Sequence, residues 1–298
     1  MNHTQFLRQL PPEDKAALTE RSDRAGLRHL GPYLLCLAGS SAGIALAVPL
    51  WPVLVPVQGV LLVFLFTLSH ECTHQTPFRT AWLNDLFGHA IAPILLLPFI
   101  WFRYFHLAHH RFTNDPERDP ELAGGGKPDT VVEWLLYVSG WRLWVSSAST
   151  IWSNAWGKLD APYLPPRRHA AIRREARILL AVYAAALVSL FFTPVLFWLW
   201  ILPVLVGQPV LRLYLLAEHG LCPAVANMFE NTRTTFTGRV VRALAWNMPY
   251  HCEHHAFPNV PFHKLPDLHR LTRPHLVSTA PGYRSFTLRY VRSLRRGG

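Results

Sequence analysis

An all-α fold built into a lipid bilayer is what this sequence predicts, and three observations predict it. Half of the 298 residues are hydrophobic and only 16% are charged, against roughly a quarter in soluble domains. Two stretches lack positive charge over membrane-spanning lengths: no Lys or Arg lies between Gly31 and Phe78, and no charge of either sign between Ile178 and Leu211. The formal net charge is +11, and the basic residues gather at both ends and in the middle, as they do in loops on the cytoplasmic side of a membrane.

The elements follow in order. Residues 1–28 read as a cytoplasmic N-terminal arm, too long and too acidic for a signal peptide, so the first apolar run is expected to stay as an anchor. Within it, Pro11-Pro12-Glu13-Asp14 has the proline-then-acid look of a helix start. Residues 31–50 form the first run long enough to span, Trp51-Pro52 turns the chain, and residues 53–70 return and carry on into His70. Ile91 to Phe102 is apolar but short and interrupted by Pro93 and Pro98, so a partly immersed hairpin is expected there. Trp134, Trp141, Trp144, Trp152 and Trp156 mark Glu133 to Trp156 as an interfacial helix, because tryptophan prefers the headgroup boundary. Arg173 to Arg177 makes a basic stop, and residues 178–193 and 195–217 give two more spans broken near Thr193-Pro194.

Four transmembrane helices in two hairpins result, with a cytoplasmic helical cap over residues 70–130 and 219–270, and residues 29–298 form a single membrane domain. Both termini fall on the cytoplasmic side. Cys36, Cys72, Cys222 and Cys252 form no CxxC pair and read as free thiols on a reducing face.

Three histidine clusters stand out: His70-Glu-Cys-Thr-His74, His106-Leu-Ala-His109-His110 and His251-Cys-Glu-His254-His255. On a helix, positions three and four apart share a face, so each cluster aims its imidazoles at one point. Imidazole suits iron, copper or zinc. The clusters, with His219 at the end of the last apolar run, supply more nitrogens than one tetrahedral zinc accepts, and two metals are the economical reading. A single HxxxH pair is a weak signal, but two HxxHH boxes and an HxxxH on one membrane face have no packing explanation. Glu71, Asp115, Asp119, Glu218 and Glu253 flank the boxes as possible imidazole partners, Asp119 and Glu218 being the two expected to serve. His263 and His269 are expected at the surface or at a docking site, and His3, His29, His89, His169 and His275 have no cluster partner.

This pattern resembles the integral-membrane fatty acid desaturases and their hydroxylase and ketolase relatives, from about Leu30 to about His269. The stretch from Asn247 through His251-Cys-Glu-His-His255 to Pro261, followed by Leu265-Pro266, is similar to sphingolipid desaturases and to bacterial desaturase-like proteins. The resemblance implies a centre of two non-haem irons with O₂ as co-substrate. Its implied ligands are His70, His74, His106, His109, His110, His219, His251, His254 and His255. The sequence departs from the acyl-CoA desaturases at Leu215, where they carry an asparagine thought to reach one iron through water. Asn247, four residues before His251, is expected either to substitute for it or to tether backbone.

The expected chemistry is attack on an unactivated C–H bond of an apolar or lipid substrate entering from the bilayer. Desaturation is the first reading, and hydroxylation or carotenoid ketolation the second. A metal transporter is the distant alternative, set aside because transporters place ligands mid-span. Nucleic acid is not an expected partner, since the arginines flank apolar runs rather than forming a groove-reading helix. No flavin, haem or nicotinamide motif is visible, so electrons are expected from a ferredoxin, a rubredoxin or a cytochrome b-type carrier. Arg103, Arg111, Arg118, Arg239, Arg242 and Lys264 are the basic residues nearest the boxes in sequence and the expected docking face.

Overall fold

The computed structural model describes residues 1–123 and 125–295, and they are mostly helical. In the arm, α1 (His3–Gln9) is closed by a capping box between Asn2 and Gln5, and α2 (Pro12–Leu18) begins on a proline followed by Glu13 and Asp14, as expected. Helix α3 (Asp23–Ala45) starts where Ser22 accepts the Ala25 N–H, eight residues before the apolar run read from sequence. Hydropathy marks the apolar part of a helix, and a good cap extends the helix beyond it.

Helix α4 (Trp51–Thr73) runs unbroken into the first histidine box. Helices α5 (Ala81–Leu95) and α6 (Phe99–Phe112) meet at a bend of 99°. The reason is local: Leu96 adopts φ 54°, and Pro98 sits where α6 begins. The short helix α7 (Pro120–Ala123) follows. The tryptophan-rich stretch forms two helices rather than one, α8 (Val131–Val138) and α9 (Trp141–Trp156), because Gly140 turns the chain with φ 77°. Trp141, Trp152 and Trp156 are exposed on this pair.

Helix α10 (His169–Ser189) contains the basic stretch rather than following it, and it packs along α9. A π-helical turn over Phe197–Ile201 leads into α11 (Leu202–His219). The rest of the chain is cap: α12 (Met228–Asn231), β1 (Thr234–Thr235), α13 (Arg239–Leu244), α14 (His251–Ala256), α15 (Leu265–Thr272), β2 (Thr279–Ala280) and α16 (Tyr283–Ser293), with β1 and β2 paired in parallel.

Among the described residues two helices are long and apolar enough to cross a bilayer, α4 and the run Phe197–His219, or three if the bent α5–α6 pair is one span. Helices α3 and α10 have similar length but carry charged residues in their N-terminal halves, Asp23, Arg24 and Arg28 in α3 and Arg173, Arg174, Glu175 and Arg177 in α10. The main axis of the fold is α4 against α11, which touch backbone to backbone. A Cβ on Gly59 would lie 2.1 Å from the Pro203 carbonyl oxygen, and one on Gly207 2.4 Å from the Gly59 carbonyl. Next to Gly59, the buried Gln58 joins three elements. It pairs with Ser40 of α3 and donates to the Ser41 hydroxyl at 2.8 Å and to the Leu199 carbonyl of the π turn at 3.2 Å. An amide buried among apolar side chains is stable there only because its donors and acceptor are used.

Candidate metal centre

Four helices deliver the nine expected histidines to one place. Helix α4 ends in His70 and, at its C-cap, His74; α6 carries His106, His109 and His110; α11 ends in His219; α14 carries His251, His254 and His255. Eight of the rings are buried and His74 is half-buried. They sort into two adjoining groups. Ring nitrogens of His70, His74, His106, His110 and His254 lie within 4.8 Å of one another, and so do those of His109, His219 and His255. His251 joins the second group through His219, Nε2 to Nε2 at 3.1 Å. The groups meet where His110 stacks on His255, centroids 3.9 Å apart and planes within 8°.

The donor set fits metal ions and little else. The Nε2 atoms of His74 and His106 are 2.9 Å apart, and those of His109 and His219 are 3.2 Å apart. Ligands at about 2.1 Å from an ion, on neighbouring vertices, stand about 3.0–3.4 Å from each other. Both ring nitrogens of His70, His110 and His254 are buried without a hydrogen-bond partner. Orphaned buried nitrogens are costly unless something binds their lone pairs. Burial, reinforced by neighbouring rings, holds His251, His254 and His255 well below the usual imidazole range, so those lone pairs are free at neutral pH.

Outer partners set the ring orientation. Asp119 accepts from His109 Nδ1 at 2.9 Å and is fixed by the N–H groups of Asn114 and Glu121. Glu218 lies 3.4 Å from His251 Nδ1. An N–H donated from Nδ1 leaves Nε2 as the coordinating atom. Both carboxylates are those singled out from sequence. Glu71, weighed but not chosen, is fully buried 3.4 Å from His254 Nδ1 and 3.8 Å from His70 Nδ1. Two further partners carried no signal at all: the Thr113 hydroxyl 3.0 Å from His255 Nδ1, and the Asn231 carbonyl 3.4 Å from His219 Nδ1.

Other expected residues lie elsewhere. Asn247, at φ 58°, donates to the Phe262 carbonyl at 3.0 Å and enters neither group. Leu215 is half-buried against the apolar core. His269 is not at the surface: it pairs with the fully buried Glu253, which also accepts from Thr234 and so anchors α14. Of the basic residues, Arg103 is tied to Asp85, Arg118 to Asp115 and Arg242 to the Tyr250 hydroxyl.

Two charged residues brace the ligand helices from outside. Glu175 of α10 accepts the N–H groups of Phe99 and Ile100, at 3.1 and 2.9 Å, and pairs with His89 at 2.8 Å. It thereby caps α6, whose own cap position is a proline. The buried Arg233 does the reverse at the other helix end, donating to the Ala217 and Gly220 carbonyls at 2.8 and 2.6 Å where α11 terminates.

A family model described as fatty acid desaturase matches residues 48–287. Among individual proteins, the chain is 38% identical over 77 residues to the sn-1 oleoyl-lipid 12-desaturase of Picosynechococcus, covering 25% of this chain and 22% of that protein. It is 38% identical over 74 residues to the bifunctional fatty acid conjugase/Delta(12)-oleate desaturase of Punica granatum, covering 25% and 19%. It is 35% identical over 69 residues to the sn-1 acyl-lipid omega-3 desaturase (ferredoxin) of Nostoc, covering 23% and 19%. The chain thus spans about a fifth of the length of these relatives.

Proposed function

This chain belongs to the fatty acid desaturase family, an oxygen-dependent oxidoreductase family, and from that premise we propose that it desaturates a fatty acyl or lipid-like chain at a centre of two irons. The observation that carries the reading is the convergence of nine histidines, eight of them buried, into two adjoining groups with ring nitrogens at ligand spacing. The balance is one O₂, two electrons and two protons consumed for two hydrogens removed from the chain, leaving as two waters. Bound iron would supply the oxidising power that an unactivated C–H bond demands.

The protein's own residues do the rest. His70, His74, His106, His110 and His254 would hold one ion, and His109, His219, His251 and His255 the other. Asp119 holds Nδ1 of His109 so that its Nε2 faces inward, and Glu218 and Glu71 stand 3.4 Å from Nδ1 of His251 and His254. Burial of the rings excludes stray water from the reacting atoms. The membrane arrangement we propose has four spans in two hairpins, with α3 and α10 joining α4 and α11, and with the cap and both termini cytoplasmic. Support comes from all nine rings sitting at or beyond the same end of α4 and α11. That placement also speaks against a transporter, whose ligands belong at mid-membrane. Hydroxylation and ketolation would use the same ligands and differ only in where the substrate carbon sits.

The test is product analysis by mass spectrometry after expression in a host of defined lipid content, with oxygen uptake by the purified iron-loaded protein. A new double bond with O₂ consumption is the expected result. A hydroxylated product would move the reading to the second alternative, and metal binding without oxygen uptake would remove the oxidase altogether.

A further inference from the structure

Resting on the oxidase reading above, we propose that the junction of α8, α9 and α11 binds the anionic oxygens, carboxylate or phosphate, of the lipid that the centre acts on, and that Arg212 pairs with them. Arg212 is the one charged residue from Ile178 to Ala217, and it lies inside the apolar run Phe197–His219. Its Nε is buried with no hydrogen-bond partner, and no carboxylate among the described residues comes within ion-pair distance of it. Its guanidinium carbon stands 5.4 Å from the centroid of the Tyr137 ring. The acids in its field, Glu121 and Glu218, serve other groups. Glu121 lies 3.5 Å from Lys127 and 3.9 Å from His109 Nδ1, and Glu218 lies 3.4 Å from His251 Nδ1. A guanidinium within an apolar span is costly until an anion meets it.

Three unpaired groups beside Arg212 are donors too. Gln208, one turn earlier on the same face, is 2% exposed and buries its Nε2 without an acceptor. The indole N–H groups of Trp134 and Trp144 are buried unpaired as well. The Gly140 turn between α8 and α9 closes on this face of α11. A Cβ there would lie 2.5 Å from Gln208 Cγ and 3.2 Å from Trp144 Nε1. An indole and a guanidinium only donate, so the set calls for an acceptor, and an oxyanion answers several donors at once. A neutral hydrocarbon such as a carotenoid ring would leave them unpaired. The outer faces of α8 and α9 expose Val132, Leu135, Trp141 and Val145, which suits the headgroup boundary, where the charged end of a lipid lies. From Arg212 to His219 α11 rises about 10 Å, so an end held at Arg212 leaves a short methylene run to the second histidine group.

The probes are oleate and dioleoylphosphatidate, with methyl oleate as the neutral control. Each is titrated against the iron-loaded protein in neutral detergent without oxygen, and bound mass is read by native mass spectrometry. The anionic probe that binds the wild type more tightly names the source, carboxylate or phosphate. Arg212→Gln is expected to raise the Kd of that probe by about tenfold and to leave methyl oleate within about twofold. Gln208→Leu keeps the volume and drops one donor, so it should raise the same Kd by about threefold, and it carries the test if Arg212→Gln fails to fold. An anionic Kd unchanged in the folded variants, an equal rise for methyl oleate, or wild-type protein that binds all three probes alike would overturn the site. Binding is read here without turnover. Wild-type protein that holds oleate through Arg212 yet consumes no oxygen when reduced would sink the oxidase reading and leave the anion site in place.

Discussion

The two histidine groups are built from the same side chain and differ in what stands behind it. Five rings of the first group face inward from α4, α6 and α14, and behind them lies Glu71 with no solvent exposure. The rings of the second group are backed by Asp119, Glu218, Thr113 and Asn231, of which Asp119, Thr113 and Asn231 are themselves buried. The first group includes the one half-buried ring, His74, whereas every ring of the second is buried. Imidazole chemistry alone would make them equivalent, so differences in metal retention and electron access must come from the outer shell.

The largest effect tests whether the groups are separable at all. His110 belongs to the first group but stacks face to face on His255 of the second. His110→Ala is expected to abolish activity and to lower iron from about two per chain. Full activity, or stable loading with a single zinc, would remove the two-iron reading.

A smaller effect contrasts the backing carboxylates. Glu71→Gln and Asp119→Asn should each weaken metal binding by about 10–100-fold, and each loss should be confined to its own group, read as one of two binding steps in an iron titration. Loss of both steps from either change would mean that the groups act as one unit.

Chelation should be biphasic, with the ion of the first group, which includes the half-buried His74, leaving several-fold faster than the ion of the second. A single phase in the wild type would erase the proposed difference in access.

The smallest effect concerns the brace on α6, the helix that serves both groups. Glu175→Ala leaves the Phe99 and Ile100 N–H groups without their acceptor and should destabilise the protein by about 1–3 kcal/mol. Both chelation phases should quicken together. Acceleration of one phase alone would show that α6 does not tie the groups.

The sequence announced the inner shell far better than the outer one. His106, His109 and His110 recur at helical spacing, so their shared face could be read from residue order alone. Asp119 was legible because it lies ten residues from His109. Thr113 serves His255 from 142 residues away, and nothing about a threonine after a box distinguishes it from any helix-terminal threonine. Glu71 was visible beside His70, but its nearer partner is His254 on another element. The bend between α5 and α6 was foreshadowed by Pro93 and Pro98, whereas the break at Gly140 was hidden inside a run of aromatic residues that reads as one continuous helix. Glu175 looked like one acid among arginines, and only packing reveals it as the cap of a helix that follows a proline.

The glycine crossing of α4 and α11 also works as the rivet of a pair of callipers. Gly59 lies eleven residues before His70, and Gly207 twelve before His219, so both arms run toward the same end and reach about 16–18 Å beyond the pivot. Opening the hinge by one methyl at Gly59 would be carried to the jaws, where His70 and His219 belong to different groups. In the proposed two-iron arrangement, the gap between the groups is therefore set partly at this crossing, about 16–18 Å from the ligands. X-ray absorption on Gly59→Ala, loaded with iron, should register a longer metal–metal distance while the iron–nitrogen distances stay the same.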